Sequence, residues 1–189
     1  MNSREIALIS LFSAIWVASQ ITLGQAIGQI TGLHGLTQRF LGWFLMLLLA
    51  EITERFGRVS LMATITASAT RIVRYSAALH LWVVGLGYAI GGLTFDILFF
   101  IPSMRGLKGS YRAGYLIVAS IASGVVTTLP YILFQLFSLG SVAFMVWLPV
   151  YLPKELLNLG LNVLGTLTAI VIVPKIKIVF PALQLDART

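Results

Sequence analysis

Charge is scarce in this chain and is mostly confined to the ends of long apolar runs. The chain has 189 residues, of which 58% are hydrophobic, thirteen are basic and six are acidic. A soluble domain of this length needs a charged surface that such a sequence does not supply. The chain is therefore predicted to fold in a lipid bilayer. Any charged residue away from the membrane edges then becomes a functional candidate.

Six apolar stretches are candidates for membrane-spanning helices, which need roughly 20 residues at about 1.5 Å each. They are Ile6–Ile27, Phe40–Glu54, Val59–Leu79, Leu81–Ile101, Gly114–Leu139 and Val150–Val173. The second is the shortest and could extend toward Gln38. Glycine and proline mark the connections, and little sequence remains for a soluble domain. We predict one all-α integral membrane domain, residues 1–189, formed by a compact bundle of six transmembrane helices.

The distribution of basic residues predicts the orientation of this bundle. With a cytoplasmic N-terminus, nine basic residues lie inside: Arg4, Arg55, Arg58, Arg105, Lys108, Arg112, Lys175, Lys177 and Arg188. The other side has four: Arg39, Arg71, Arg74 and Lys154. We therefore expect both termini inside, in a multi-pass protein of the cell membrane whose basic loops face anionic lipid. No nucleic-acid partner is predicted, because the chain has no basic patch interleaved with aromatic residues.

The sequence does not favour an enzyme. His34 and His80 lie in separate segments without the spacing of metal ligands. Glu51 and Asp96 are isolated carboxylates near the predicted cytoplasmic ends of their helices, rather than a catalytic pair. A Gly-rich phosphate loop with its lysine is also missing, so ATP binding by this chain is not expected. We predict no catalytic residue, no metal and no cofactor.

Polar residues along the predicted sixth helix favour a ligand site. Glu155, Asn158 and Asn162 are spaced i, i+3 and i+7, so they share one helical face that descends from the outer surface. Asparagine both donates and accepts hydrogen bonds, which suits a polar small molecule. The alternative is that these amides join neighbouring helices in lipid. Charged Lys154 and Glu155 at the mouth favour the ligand role.

Arg71 is the second candidate, because it lies deep in the predicted third helix. Counted from Val59, it is about 18 Å along the helix axis and past the middle of a bilayer core roughly 30 Å thick. An arginine there needs a partner, a cavity or a route to the interface. Contact with a ligand and an ion pair with Glu155 both remain open, whereas Arg74 is shallow enough to reach the interface.

Aromatic residues collect on the same outer side, namely Trp43, Tyr75, Trp82, Trp147 and Tyr151. They fit either an interfacial anchoring belt or a stacking pocket for a flat heterocycle. The glycine-containing loop from Gly28 to Gln38 is a candidate lid or simply a turn. The predicted substrate-binding set is Arg71, Tyr75, Trp82, Trp147, Tyr151, Glu155, Asn158 and Asn162.

Small residues form a strip on the predicted first helix. Ser10, Ala14 and Ala18 are four apart, so a second helix could approach closely along them. The strip marks either a docking surface for a partner protein or packing within the bundle.

With these features the chain resembles a substrate-binding S component of an energy-coupling factor (ECF) transporter, the vitamin-uptake class. The resemblance spans essentially the whole length and includes the helix-one sequence Ala14-Ile15-Trp16-Val17-Ala18 and the Gly-rich fourth helix from Gly85 to Asp96. In that family, small residues of helix one dock onto a membrane coupling subunit. The substrate lies near the outer face between loop one and helices four to six. These roles would transfer to Ala14 and Ala18 and, more loosely, to Trp82, Tyr151, Asn158 and Asn162.

The resemblance implies binding without chemistry. The chain would capture a water-soluble vitamin or a related small heterocycle at the outer face. Partner subunits, one coupling protein and its ATPases, would supply the energy for uptake. Two other classes remain open: a stand-alone secondary transporter or channel, which needs an ion-coupling carboxylate near the midplane, and a membrane scaffold without a ligand.

Overall fold

A computed structural model describes residues 1–31, 35–74, 78–101 and 106–179. These residues form six α-helical elements and no strand, which confirms the all-α prediction. The elements are α1 (Ser3–Ile21), α2 (Leu23–Thr31), α3 (Leu36–Thr53), α4 (Arg58–Val73), α5 (Leu79–Phe99) and α6 (Gly109–Val179).

The number of separate helices differs from the prediction. The Thr22 amide donates to the Ala18 carbonyl at 2.9 Å, and the Thr22 carbonyl accepts from Ala26 at 3.0 Å, so α2 continues α1. The predicted fifth and sixth helices are likewise one element of 71 residues. The described residues thus contain five helical segments rather than six, because the predicted connection between Leu139 and Val150 is itself helical.

Gly140 divides the long element α6 into two arms. Its backbone has φ 74° and ψ 164°, a non-helical conformation that favours glycine. The arms, residues 109–139 and 141–179, run antiparallel, since the rings of Tyr131 and Tyr151 lie 5.7 Å apart and Thr128 hydrogen-bonds Glu155. The chain therefore reverses at a single glycine within an element that is otherwise helical.

In the described part of the chain, four helices are long and apolar enough to cross a membrane: Ser3–Ile30, Leu36–Thr53, Leu79–Phe99 and Gly109–Ile178. The helix α4 has 16 residues and ends at Val73, short of the predicted span Val59–Leu79. Residues 75–77 of that span lie outside the described part of the chain. The length and composition of the four helices support the prediction of a membrane protein.

The exterior of the fold is far more apolar than that of a soluble protein. Large apolar side chains lie on the exterior, such as Phe137 at 84% exposure and Val142 at 81%. Meanwhile Glu5 and Asp96 are fully buried. An apolar exterior is stable when lipid is the solvent, and the few buried charged groups must then find partners inside the protein.

Aromatic packing joins α1, α3 and α5 at the centre of the fold. Trp16 and Trp43 are completely buried, and Tyr88 packs edge-on against Trp16 with ring centroids 5.8 Å apart. Gly42 allows this arrangement, since a Cβ added there would lie 2.3 Å from the Trp16 ring. These aromatic side chains form the floor beneath the polar site described below.

One end of the bundle is held together by ion pairs. Glu5 pairs with Arg55 at 2.9 Å and with Arg58 at 2.8 Å. Glu51 pairs with Arg112 and with Lys177. This end, the basal end, includes the C-terminus of α3. Glu51 at this end lies about 18 Å along α3 from Arg39, which is 12 residues earlier in the sequence.

Asp96 stabilises the start of α4 near the same end. Its Oδ2 accepts from the Ser60 backbone amide at 2.8 Å and from the Ser60 hydroxyl at 2.6 Å. The N-cap residue, Gly57, has no side chain to bind these first amides. A carboxylate from α5 therefore takes the place of a local helix cap, and Asp96 has a structural role.

Candidate functional site

A cavity of about 560 Å³ lies at the end of the bundle opposite the basal end. Its walls come from the beginnings of α3 and α5, the end of α4 and both arms of α6. Polar and aromatic side chains dominate the lining, including Gln38, Arg39, Arg71, Arg74, Tyr88, Thr128, Tyr131, Trp147, Tyr151, Lys154, Glu155 and Asn158. The volume falls within the range typical of small-molecule sites, about 300–1,000 Å³.

A buried ion pair spans the base of this cavity. Arg39 Nη2 donates to Glu155 Oε1 at 2.8 Å, and the two side chains are only 6% and 8% exposed. The partners are 116 residues apart in sequence. The pair joins the start of α3 to the second arm of α6 and so fixes one wall of the cavity relative to another.

Further donors saturate the Glu155 carboxylate. The Thr128 hydroxyl accepts from Arg39 Nη2 at 3.0 Å and hydrogen-bonds Glu155 Oε1. Tyr151 and Asn158 each donate to the other oxygen, Oε2, at 3.2 Å. These hydrogen bonds compensate for the removal of the carboxylate from water, which makes a buried charge tolerable.

Aromatic rings flank the Arg39 guanidinium. Its central carbon lies 5.4 Å from the ring centroid of Trp43 and 5.5 Å from that of Tyr88. Cation–π attraction adds to the ion pair at this distance. The Tyr88 hydroxyl also donates to Gln38 at 3.4 Å. Arg39 is thus held from all sides by protein groups.

Arg71 occupies a different wall and has no carboxylate partner among the described residues. Its Nε donates to the Leu81 backbone carbonyl at 2.7 Å, and the residue is 5% exposed. It packs beside Gly85, where an added Cβ would lie 3.4 Å from Nε. Sequence analysis left two roles open for Arg71, contact with a ligand and an ion pair with Glu155. The ion pair is not formed, because Glu155 is paired with Arg39 instead.

A stacked aromatic group forms the cavity wall on α6. Trp147 and Tyr151 are nearly parallel, at 18°, with ring centroids 4.5 Å apart. Tyr131 from the first arm contacts both, at 5.9 Å from Trp147 and 5.7 Å from Tyr151. A flat ring system could stack on this wall while polar groups bind its substituents.

The cavity contains five of the predicted substrate-binding residues: Arg71, Trp147, Tyr151, Glu155 and Asn158. Trp82 is 45% exposed and lies outside the cavity lining. Asn162 is fully buried against Gly124, where the two arms of α6 meet below the cavity. Tyr75 lies outside the described residues, as does His34 of the predicted lid.

Sequence analysis missed Arg39, Tyr88 and Tyr131 as cavity residues. Arg39 begins an apolar stretch and was interpreted as a boundary charge, the usual role of such an arginine. Tyr88 lies within the Gly-rich α5, where its neighbours Gly87 and Gly91 pack directly against Thr127. This close packing brings Tyr88 toward the ion pair. The signal available in the sequence was the run of glycines around Tyr88.

The small-residue strip of α1 faces away from the bundle. Ser10, Ala14 and Ala18 are exposed, whereas Ile9 and Trp16 on the opposite face are buried. The strip therefore does not serve as packing within the described fold. Lipid or another protein would cover it.

Among the described residues, no group of three or more His, Asp and Glu side chains is arranged to hold a metal ion. Comparisons with protein-family models, with curated proteins and with solved structures gave no match for this chain. The identity of a ligand must therefore be inferred from the cavity.

Proposed function

We propose that this protein is the substrate-binding S component of an ECF-type transporter. It captures a water-soluble vitamin or a related small heterocycle, and partner subunits that hydrolyse ATP drive uptake. The observation that carries the proposal is the cavity of about 560 Å³, with stacked aromatics on one wall and charged groups on others. A few polar groups and an aromatic surface are the usual means of binding such a molecule tightly.

The proposal includes a topology. The two arms of α6 count as two crossings, which makes six in all, and both termini face the cytoplasm. The cavity then opens outward, and the basal end with its surplus of basic residues faces the anionic inner leaflet. Single cysteines in this cysteine-free chain test it: His80→Cys at the cavity and Lys108→Cys near the basal end should react with an impermeant maleimide from opposite sides. Reaction of both from outside would contradict the topology.

The exposed strip on α1 supports a place for the coupling subunit. Its small side chains lose little entropy and allow close helix contact in lipid. The strip and the cavity involve different residues, so binding and docking can be tested separately. In this arrangement the protein binds substrate alone and releases it only when assembled with its energy-supplying partners.

Equilibrium binding of a radiolabelled panel of vitamins and their precursors to the detergent-purified protein tests the function. We expect saturable binding of one member. The Trp147→Ala substitution should weaken it about 5- to 150-fold through loss of stacking. Trp82→Ala is the matched control, since it removes the same side chain from an exposed position outside the cavity. Absence of binding by every member would favour a scaffold role instead.

A stand-alone secondary transporter is the second candidate, because Glu155 supplies a buried carboxylate within the cavity. A buried carboxylate is the kind of group that an ion-coupled transporter needs. Uptake into proteoliposomes that contain this chain and no ATPase separates the two. Gradient-driven uptake without any ATPase would favour the secondary transporter, and uptake only with ATPase subunits would favour the ECF proposal.

A further inference from the structure

The charges that line the cavity do not balance. Arg39, Arg71, Arg74 and Lys154 contribute four positive charges, and Glu155 is the single carboxylate among the described lining residues. Glu155 is already paired with Arg39. Three cations therefore remain without a carboxylate in the cavity wall.

The other described carboxylates are engaged elsewhere. Glu5 and Glu51 are held in ion pairs at the basal end, and Glu54 pairs there with Lys177. Asp96 binds the first turn of α4. Within residues 1–31, 35–74, 78–101 and 106–179, no ion pair to Arg71 is formed, although its side chain is almost wholly removed from solvent.

The geometry of Arg71 leaves it ready to bind a ligand. A guanidinium has five N–H donors, and the Nε–H is used by the Leu81 carbonyl. Among the residues that the structure describes, no hydrogen bond is made to the four N–H groups of the two Nη atoms, the pair suited to bidentate binding of a carboxylate or phosphate. Arg74 lies three residues further along α4, on the same side of the helix, and also lines the cavity.

We infer that the cavity binds an anion, with Arg71 as the principal contact to a carboxylate or phosphate of the ligand. This rests on the proposed substrate-binding function and narrows it to one substrate class: a flat ring system that bears an acidic group. The ring stacks on Trp147 and Tyr151. The acidic group compensates the charge of Arg71, which would otherwise be a buried cation with only a backbone carbonyl.

Ligand pairs that share a ring system and differ in an acidic group test the inference on the purified full-length protein. Suitable probes are nicotinate and nicotinamide, biotin and biotinamide, and riboflavin 5′-phosphate and riboflavin. The first two pairs report on a carboxylate and the third on a phosphate. Isothermal titration calorimetry should show that, in any pair that binds, the anion binds at least about 10-fold more tightly, as expected for one charge-assisted hydrogen-bonded contact.

Substitution then assigns the contact to Arg71. Arg71→Gln retains a donor for the Leu81 carbonyl and removes the charge. This substitution should weaken binding of the anion roughly 10- to 150-fold and binding of its neutral partner less than about 3-fold. Arg4→Gln is the control, because it removes the same charge from an exposed position on α1. Should Arg71→Gln fail to fold, the preference of the wild-type protein for the anion still tests the charge of the site.

The outcomes separate the inference from the proposed function. If a neutral probe binds and its anionic counterpart does not, the inference is wrong and the binding function stands. If Arg71→Gln weakens binding of the anion and of its neutral partner equally, Arg71 is a structural residue. If the preference for the anion is unchanged in Arg71→Gln, another residue contacts the anion. If no probe binds, the proposed binding function falls together with the inference.

Discussion

The Arg39–Glu155 pair offers the sharpest test of the energetics of this fold. We expect Arg39→Met to lower the free energy of unfolding by about 3–5 kcal/mol, the cost of leaving one member of a buried pair without its partner. The loss should lie at the lower end of that range, since Thr128, Tyr151 and Asn158 still bind the Glu155 carboxylate. We therefore expect a value near 3 kcal/mol.

The double substitution Arg39→Met with Glu155→Gln should recover most of that loss. Glutamine keeps an oxygen for the donors Tyr151 and Asn158, and its NH2 group can donate to the Thr128 hydroxyl, so no charge then remains buried at this site. Stability within about 1 kcal/mol of the wild-type protein is expected, because exchange of a whole buried pair for neutral groups is often close to neutral. Glu155→Gln alone should be strongly destabilising, since it leaves the Arg39 charge between two rings and a hydroxyl.

Reversible unfolding in mixed micelles of dodecyl sulfate and a mild detergent measures these free energies, with tryptophan fluorescence as the signal. Arg58→Met is a useful comparison, because its partner Glu5 keeps Arg55. A loss below about 1 kcal/mol for Arg39→Met, the size of an exposed pair, would refute the reasoning. It would mean that water in the cavity screens the pair despite its low exposure.

Two further predictions concern packing and assembly. Gly42→Ala should destabilise the protein by about 1–3 kcal/mol in the same unfolding assay, because its Cβ would overlap the Trp16 ring. Gly114→Ala, where nothing lies within 4 Å, should be neutral or stabilising, and equal effects would argue against the Trp16 contact. Ala14→Trp combined with Ala18→Trp should abolish co-purification of a coupling subunit and energised uptake while ligand binding persists. Loss of binding as well would show that the strip belongs to the folded core.

Local sequence properties were sufficient to predict the helical class and the membrane environment. Hydropathy and charge act over windows of about 20 residues, so they can be read without knowledge of the fold. The same reasoning predicted a separate connection before Val150. The structure continues the helix there and reverses the chain at Gly140 alone, because apolar residues of a turn in lipid resemble those of a helix.

The candidate site was predicted in part, for a similar reason. Glu155 and Asn158 share a helical face, and such short-range spacing is visible in the sequence. Their contacts are not, because Arg39 is 116 residues from Glu155 and Tyr88 comes from yet another helix. Pairing of a scarce carboxylate with one arginine rather than another depends on which helices pack together.

The amino-acid sequence therefore specifies the solvent of this protein, its helices and the small set of buried polar groups, all of which follow from local composition. Helix packing selects among the partners available to those groups. In this fold Glu155 pairs with Arg39, whereas Arg71 lies in a cavity wall and donates to the Leu81 carbonyl. The physical reason is that a buried charge is stabilised only by groups within a few ångströms, and in this chain those groups come from distant parts of the sequence.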